Sequence, residues 1–152
     1  CDLVLVAAAG QCLSELFGIL ADAHINVDII VQSEHGADTM DVSFSVQEGE
    51  LKRALDVLER NRERLDFDDI LVESDLAKVS AVGAGMVTNP GVAATMFKTL
   101  TDANVPIKMV STSEIKISCV IPRQFAEEAV RRLHTTFALD VKEPATVDSG
   151  VN

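Results

Sequence analysis

The sequence predicts an α+β fold made of two tandem ferredoxin-like units, each running β-α-β-β-α-β, with the first over residues 1–76 and the second over 77–152. Three observations predict it. Landmarks of one half recur in the other: Phe17, Leu20, Asp22, Ala23, Ser33 and Glu34 return as Phe97, Leu100, Asp102, Ala103, Ser113 and Glu114, a constant offset of 80 positions. Apolar residues at Leu13, Leu16, Phe17 and Leu20, and again at Ala93, Met96, Phe97 and Leu100, follow the i, i+3, i+4, i+7 spacing of a helix with one buried face. Between the helices, Met40, Val42, Phe44 and Val46 alternate with Asp41, Ser43 and Ser45, the period of two that gives a sheet one core face.

Each unit opens on a short apolar strand, 3–7 in the first and 78–83 in the second. The first helix follows, and in the second unit Asn89 and Pro90 suit its N-cap and first turn, because the Asn side chain accepts from free amides and Pro has none to satisfy. Next come two strands, 27–33 with 39–46 and 107–111 with 115–121, joined in the first unit by a hairpin turn marked by Gly36. Beyond the hairpin the offset shortens to 75, so Leu51, Ala54, Leu55 and Leu58 answer to Ala126, Ala129, Val130 and Leu133 on the second helix of each unit. A last strand at 69–73 completes the first unit. Its counterpart at 141–147 contains Pro144, which cannot donate to a ladder, so the second unit is expected to close poorly, to take its fourth strand from elsewhere, and to end in a loose polar tail over 148–152. This order of elements is the split βαβ plan.

The charge balance narrows the partners. Thirteen Lys and Arg against 24 Asp and Glu leave a net charge of −11, which disfavours nucleic acid and anionic membrane surfaces alike. No apolar run approaches the roughly 20 residues that span a bilayer, and a cytoplasmic protein is the expectation. The chain opens on Cys1 rather than Met, which points to processing or to a fragment. Cys1, Cys12 and Cys119 are scattered and odd in number, so a reduced compartment follows, and Cys119, alternating with Ile115 and Ile117, reads as a small core residue.

Catalysis needs a nucleophile, a base and a holder of charge. The bases available near neutral pH are His24 at a helix end, His35 in the hairpin and His134 beside an apolar helix face, none with an obvious partner. No metal-ligand spacing and no cofactor fingerprint is present: after Gly83 and Gly85, Thr88 stands where a dinucleotide loop needs its third glycine, and the acidic stretch 66–69 lacks the spacing of a calcium loop. No catalytic residue, metal or cofactor is expected. The loop 83–91 between a strand and a helix start is a place where free amides receive a carboxylate, although the same glycines serve equally to make the turn.

At this loop the sequence resembles a known family. The run Lys78-Val-Ser-Ala-Val-Gly-Ala-Gly-Met-Val-Thr-Asn-Pro-Gly-Val-Ala-Ala, with Val110-Ser-Thr-Ser-Glu-Ile-Lys-Ile-Ser118, closely resembles the second ACT domain of aspartokinases. Ile25-Asn-Val-Asp-Ile-Ile-Val-Gln32 and Thr39-Met-Asp-Val-Ser-Phe44 resemble the first. The resemblance covers roughly residues 3–139. It implies the regulatory part of an aspartate kinase, without kinase activity of its own, either a separate small β subunit or a fragment. Such a part pairs its ACT domains side by side, as a homodimer or with a catalytic α subunit, and binds threonine or lysine at the interface for feedback inhibition.

Carried over by position, the resemblance implies an effector-binding set. Asn26, Val27 and Gln32 match the ligand-contacting strand of the first domain. Thr88, Asn89, Pro90 and Gly91 match the loop of the second, and Thr112 and Ser113 match its Ser-Thr-Ser segment. Two departures add Gln11, Val105 and Pro106 to the set. Where the family has Asp-x-Pro-Gly, this chain reads Ala8-Ala-Gly-Gln11 and lacks a carboxylate that could meet an effector ammonium; where Ile-Asn is common it reads Val105-Pro106, which removes a backbone donor. An allosteric sensor is therefore one expectation, and a structural dimerisation module without an effector is the other; fold alone does not exclude a small enzyme.

Overall fold

The computed structural model describes residues 1–9, 13–34, 40–83, 91–140 and 146–150. Gln11, Cys12, His35, Gly36, Thr88, Asn89 and Pro90 lie outside the described residues. Two compact units, Cys1–Ser74 and Asp75–Asn152, make up the chain.

The first unit runs β1 (Asp2–Ala9), α1 (Leu13–Asp22), β2 (Val27–Glu34), β3 (Met40–Val46), α2 (Leu51–Arg60), a one-turn α3 (Arg62–Leu65) and β4 (Asp69–Glu73). The second runs β5 (Leu76–Val82), α4 (Gly91–Asp102), β6 (Met109–Thr112), β7 (Lys116–Pro122), α5 (Ala126–Asp140) and β8 (Thr146–Gly150). Both sheets are antiparallel, with orders β2-β3-β1-β4 and β6-β7-β5-β8. This is the ferredoxin-like arrangement twice over, as the sequence predicts.

Registers repeat as well. Val4 stands opposite Phe44 in the first unit, and Val79 stands opposite Cys119 at the equivalent place in the second. The alternation of the strands then settles which face each helix pair covers. In the first unit Val4, Val6, Val42, Phe44 and Val46 meet Leu16, Leu20, Ala54 and Leu58 in one buried cluster, and the Phe17 ring meets Phe44 edge-on at 5.7 Å. In the second, Val79, Ala81, Ile117, Cys119 and Ile121 meet Met96, Leu100, Ala129, Leu133 and Phe137. Cys119 is much smaller than the Phe44 it answers to, and the second cluster gains Phe137, whose counterpart by position in the first unit is the exposed Arg62 lying 4.9 Å over the ring of Phe67.

Expectations for two strands are corrected. Residues 148–150 of the polar tail are not loose: β8 pairs with β5 from Lys78 opposite Gly150 to Val82 opposite Thr146, so the second unit holds its own fourth strand and needs none from elsewhere. The described strand begins at Thr146. β6 is displaced toward the hairpin, Met109–Thr112 rather than 107–111, whereas β2 begins at Val27. Pro106, which can donate nothing, stands ahead of it. His24 stands at the helix end as expected, two residues past Asp22 in the cap of α1.

That exit from α1 is built the same way in both units. His24 and Asn104 take the left-handed conformation, at φ 57° each. His24 N–H donates to Ala21 O at 2.9 Å and Ile25 N–H to Leu20 O at 2.9 Å; Asn104 N–H donates to Thr101 O at 3.0 Å and Val105 N–H to Leu100 O at 2.9 Å. The pair of bonds satisfies the last helical carbonyls, and the following Ile25 or Val105 drops into the core.

Candidate functional site

Apart from Gly91 at the start of α4, the described residues singled out by the sequence fall at two places in each unit. One is the helix-exit corner, with Asn26 and Val27 in the first unit and Val105 and Pro106 in the second. The other is the opposite end of the sheet, with Gln32 in the first and Thr112 and Ser113 in the second. The repeat makes these sets equivalent, since Gln32 and Ser33 answer to Thr112 and Ser113.

Strand geometry separates the two places. From Asn26 to Gln32 the chain advances six residues along an extended strand, roughly 18–20 Å at about 3.3 Å per residue, more than twice the length of a free amino acid. Asn26, Val27 and Gln32 of one unit therefore do not meet around one small ligand. Gln32 instead shares its end of the sheet with the exit of β1: Gln32 pairs with Val42, which pairs with Val6. In the second unit Thr112 pairs with Ile117, which pairs with Ala81, and the Gly83 N–H donates to Ile115 O at 2.8 Å. The structure thus brings Gln32 to the end of the sheet where β1 finishes, and Thr112 and Ser113 to the end where Gly83 leaves β5.

β2 is an edge strand, and beyond the buried Ile29 it is exposed from Ile30 to Glu34, Gln32 included. Its main-chain groups on the outer side have no neighbouring strand in the sheet. Thr112 and Ser113 are exposed too, but Ser113 also closes its hairpin: its N–H donates to Lys116 O at 2.7 Å and its Oγ accepts from the Ile115 N–H at 3.4 Å. Gly91 is the first described residue of α4 and is exposed.

At the helix-exit corner the two units differ. Asn26 is exposed, and its N–H donates to the Glu50 carboxylate at 3.2 Å. Val105 is buried in the core with its N–H engaged by the helix cap, and Pro106 is exposed and has no N–H. What sequence reasoning missed here is Glu50 and its neighbour Arg53, which reach the corner from the start of α2. The signal was legible only in part, as a charged pair three apart on a helix face.

Cys1 and Cys119 are buried, and neither forms a disulfide among the described residues. Burial pushes the Cys119 thiol up to about 11, which keeps it a neutral core residue and not a nucleophile. An open groove of about 640 Å³ lies along α5, lined by Arg123, Ala126, Glu127, Val130, Arg131, His134 and Thr135, and none of the described residues of the effector set lines it. His134 and His24 are both exposed. Among the described residues no group of three or more His, Cys, Asp or Glu could hold a metal ion, and no helix is long and apolar enough to cross a membrane.

Comparison with known proteins agrees with the fold. Models of the ACT domain match residues 13–63 and 79–137. Aspartokinase 2 of Bacillus subtilis is 49% identical over 135 residues, which is 89% of this chain and 33% of that protein. The chain spans about a third of the length of the curated aspartokinases it matches. Among solved structures, a chain from the crystal structure of aspartokinase alpha and beta subunits superposes with a TM-score of 0.83 at 37% identity, covering 91% of this chain and 93% of that one. The ligand-free regulatory subunit of aspartate kinase from Thermus thermophilus superposes with a TM-score of 0.82 at 31% identity, covering 90% and 91%.

Proposed function

The chain belongs to the aspartokinase family as a tandem-ACT regulatory region, with no kinase domain among its 152 residues, and from that premise we propose that it senses threonine, lysine or both for feedback inhibition of aspartate kinase. The effector sits where ACT domains pair, and the partners are a second copy of the chain, the catalytic subunit, or both, in the cytoplasm.

The observation that supports this most is the exposed edge of β2 with Gln32 at the end of the sheet where β1 leads toward its helix. An edge strand offers main-chain N–H and C=O groups to a zwitterion, and the Gln amide can both donate to and accept from a ligand side chain. The separation of Gln32 from Asn26 supports a reading with two different contact regions, in which an effector is held between two domains, each supplying one end. A second reading, a dimerisation module that binds no effector, is favoured by the Ala8-Ala-Gly-Gln11 loop without its carboxylate and by Ile30 and Val31 exposed on the same strand, at 51% and 38%.

Titration calorimetry with threonine and with lysine separates the readings. Binding by the wild-type chain, weakened about fivefold in Gln32→Ala for one lost hydrogen bond, is the expected result. Absence of heat and of any thermal shift with both amino acids leaves the structural module.

A further inference from the structure

The exit of α1 in the first unit leaves a carbonyl at His24 and an amide at Asn26 on an exposed corner. Two side chains from the start of α2 close on these groups. Glu50 Oε2 accepts the Asn26 N–H at 3.2 Å; Arg53 Nη2 donates to Glu50 Oε1 at 3.2 Å and to the His24 carbonyl at 3.1 Å. Residues 24, 26, 50 and 53 thus form one ring of hydrogen bonds that ties the corner to the second helix.

The second unit serves as an internal comparison. Its cap is the same, bond for bond, through Asn104 and Val105. Yet the residue answering Asn26 is Pro106, which has no N–H, and the residue answering Glu50 is Phe125, packed against the apolar core. Glu128 answers Arg53 and pairs along its own helix with Arg132 at 3.0 Å. Donor and acceptor are missing together. Proline fixes φ covalently, whereas the first unit holds its corner by charge, which salt screens.

We propose that Glu50 and Arg53 are positioning residues for the effector site, holding Asn26 and Val27 in place before a free α-amino acid arrives. The inference rests on the effector reading above, and it assigns the pair a role neither residue has by contact. A corner already ordered loses less conformational freedom on binding, so affinity rises without a new contact to the ligand. Arg53 is exposed and Glu50 half-buried, with side-chain accessibilities of 52% and 19%, so the effect of the pair is modest.

Two readouts on the whole chain test this. Amide exchange at Asn26, followed without ligand, should quicken about threefold to fivefold in Glu50→Gln, the size expected for an exposed charge-assisted bond. Calorimetric titration with threonine and with lysine should show affinity weakened about threefold to fivefold in Glu50→Gln and in Arg53→Met, with Arg53→Lys recovering part of it and the melting temperatures nearly unchanged. Unaltered exchange at Asn26, or variants that bind as wild type does, would overturn the proposal, as would affinity losses that merely track a fall in melting temperature. Wild-type protein that binds neither amino acid sinks the effector reading instead, and exchange at Asn26 then still decides whether the clamp exists.

Discussion

His24 and Asn104 sit at the same left-handed position of the same cap, and the two side chains differ in how well they tolerate it. Asn bonds locally in that region and visits it readily, whereas His carries the full crowding of its Cβ against the backbone. Replacing His24 by Gly should therefore raise stability by about 0.5–1 kcal/mol, and Asn104→Gly should change little, both read from thermal or urea unfolding. The His24 bond to Arg53 uses the carbonyl and survives the change. Cys119 gives a second test because its thiol is pushed up to about 11 by burial from an ordinary 9.0. Below pH 9 the thiol is protonated in both states and the native preference is complete. Between about 9 and 11 the unfolded thiol loses its proton while the native one keeps it, so stability falls through that window, by about 2–3 kcal/mol at most. The chain has no Tyr to obscure the effect, and in Cys119→Ala the drop from pH 8 to pH 11 should be smaller by that amount in urea titrations.

Most of the elements were legible because both periodicities were strong: α1 and α4 declare themselves by Leu16 and Leu20 and by Met96 and Leu100, and β3 by the alternation around Phe44. The misreadings have local physical causes. Pro144 argued against a strand at 141–147, but the described strand is Thr146–Gly150, and these five residues are too short and polar to announce themselves without the β5 edge they pair with. The site set was assembled from matched motifs in one dimension, which cannot show that Asn26 precedes β2 while Gln32 lies six residues further along it. Glu50 escaped notice because its partner is a backbone amide 24 positions away, and no spacing rule encodes such a bond. The importance of β8 can be measured. Without residues 146–152, β5 loses its pairing from Lys78 to Val82 and becomes an edge, with its amides exposed and the cluster around Val79 and Ala81 open on one side. Amide protection should fall across β5 and β7 while that of β1 and β3 holds, and loss confined to the last few residues would mean that the strand contributes nothing.

Each unit encloses its own hydrophobic cluster, and the two share no residue, so the chain is built from two complete folds and not from one fold in two pieces. That organisation suits a sensor, because domains that are stable separately can change their pairing without unfolding. A bound amino acid then acts only through the difference in its affinity for the two arrangements. Coupling of this kind usually amounts to about 1–3 kcal/mol, a factor of about 5–150, and it must be reciprocal. If threonine or lysine disfavours the active kinase by binding here, then substrates that favour the active state must weaken the amino acid's affinity for the chain by the same factor. The expected result is therefore measurable without any rate: in complex with its kinase part, the chain should bind effector about 5–150 times more weakly when aspartate and a nonhydrolysable nucleotide saturate the kinase. The isolated chain, having no kinase site to be filled, should bind with one affinity whether or not those substrates are present. Equal effector affinity in the complex with and without substrates would mean that no coupling links the two sites, however tightly the amino acid is held.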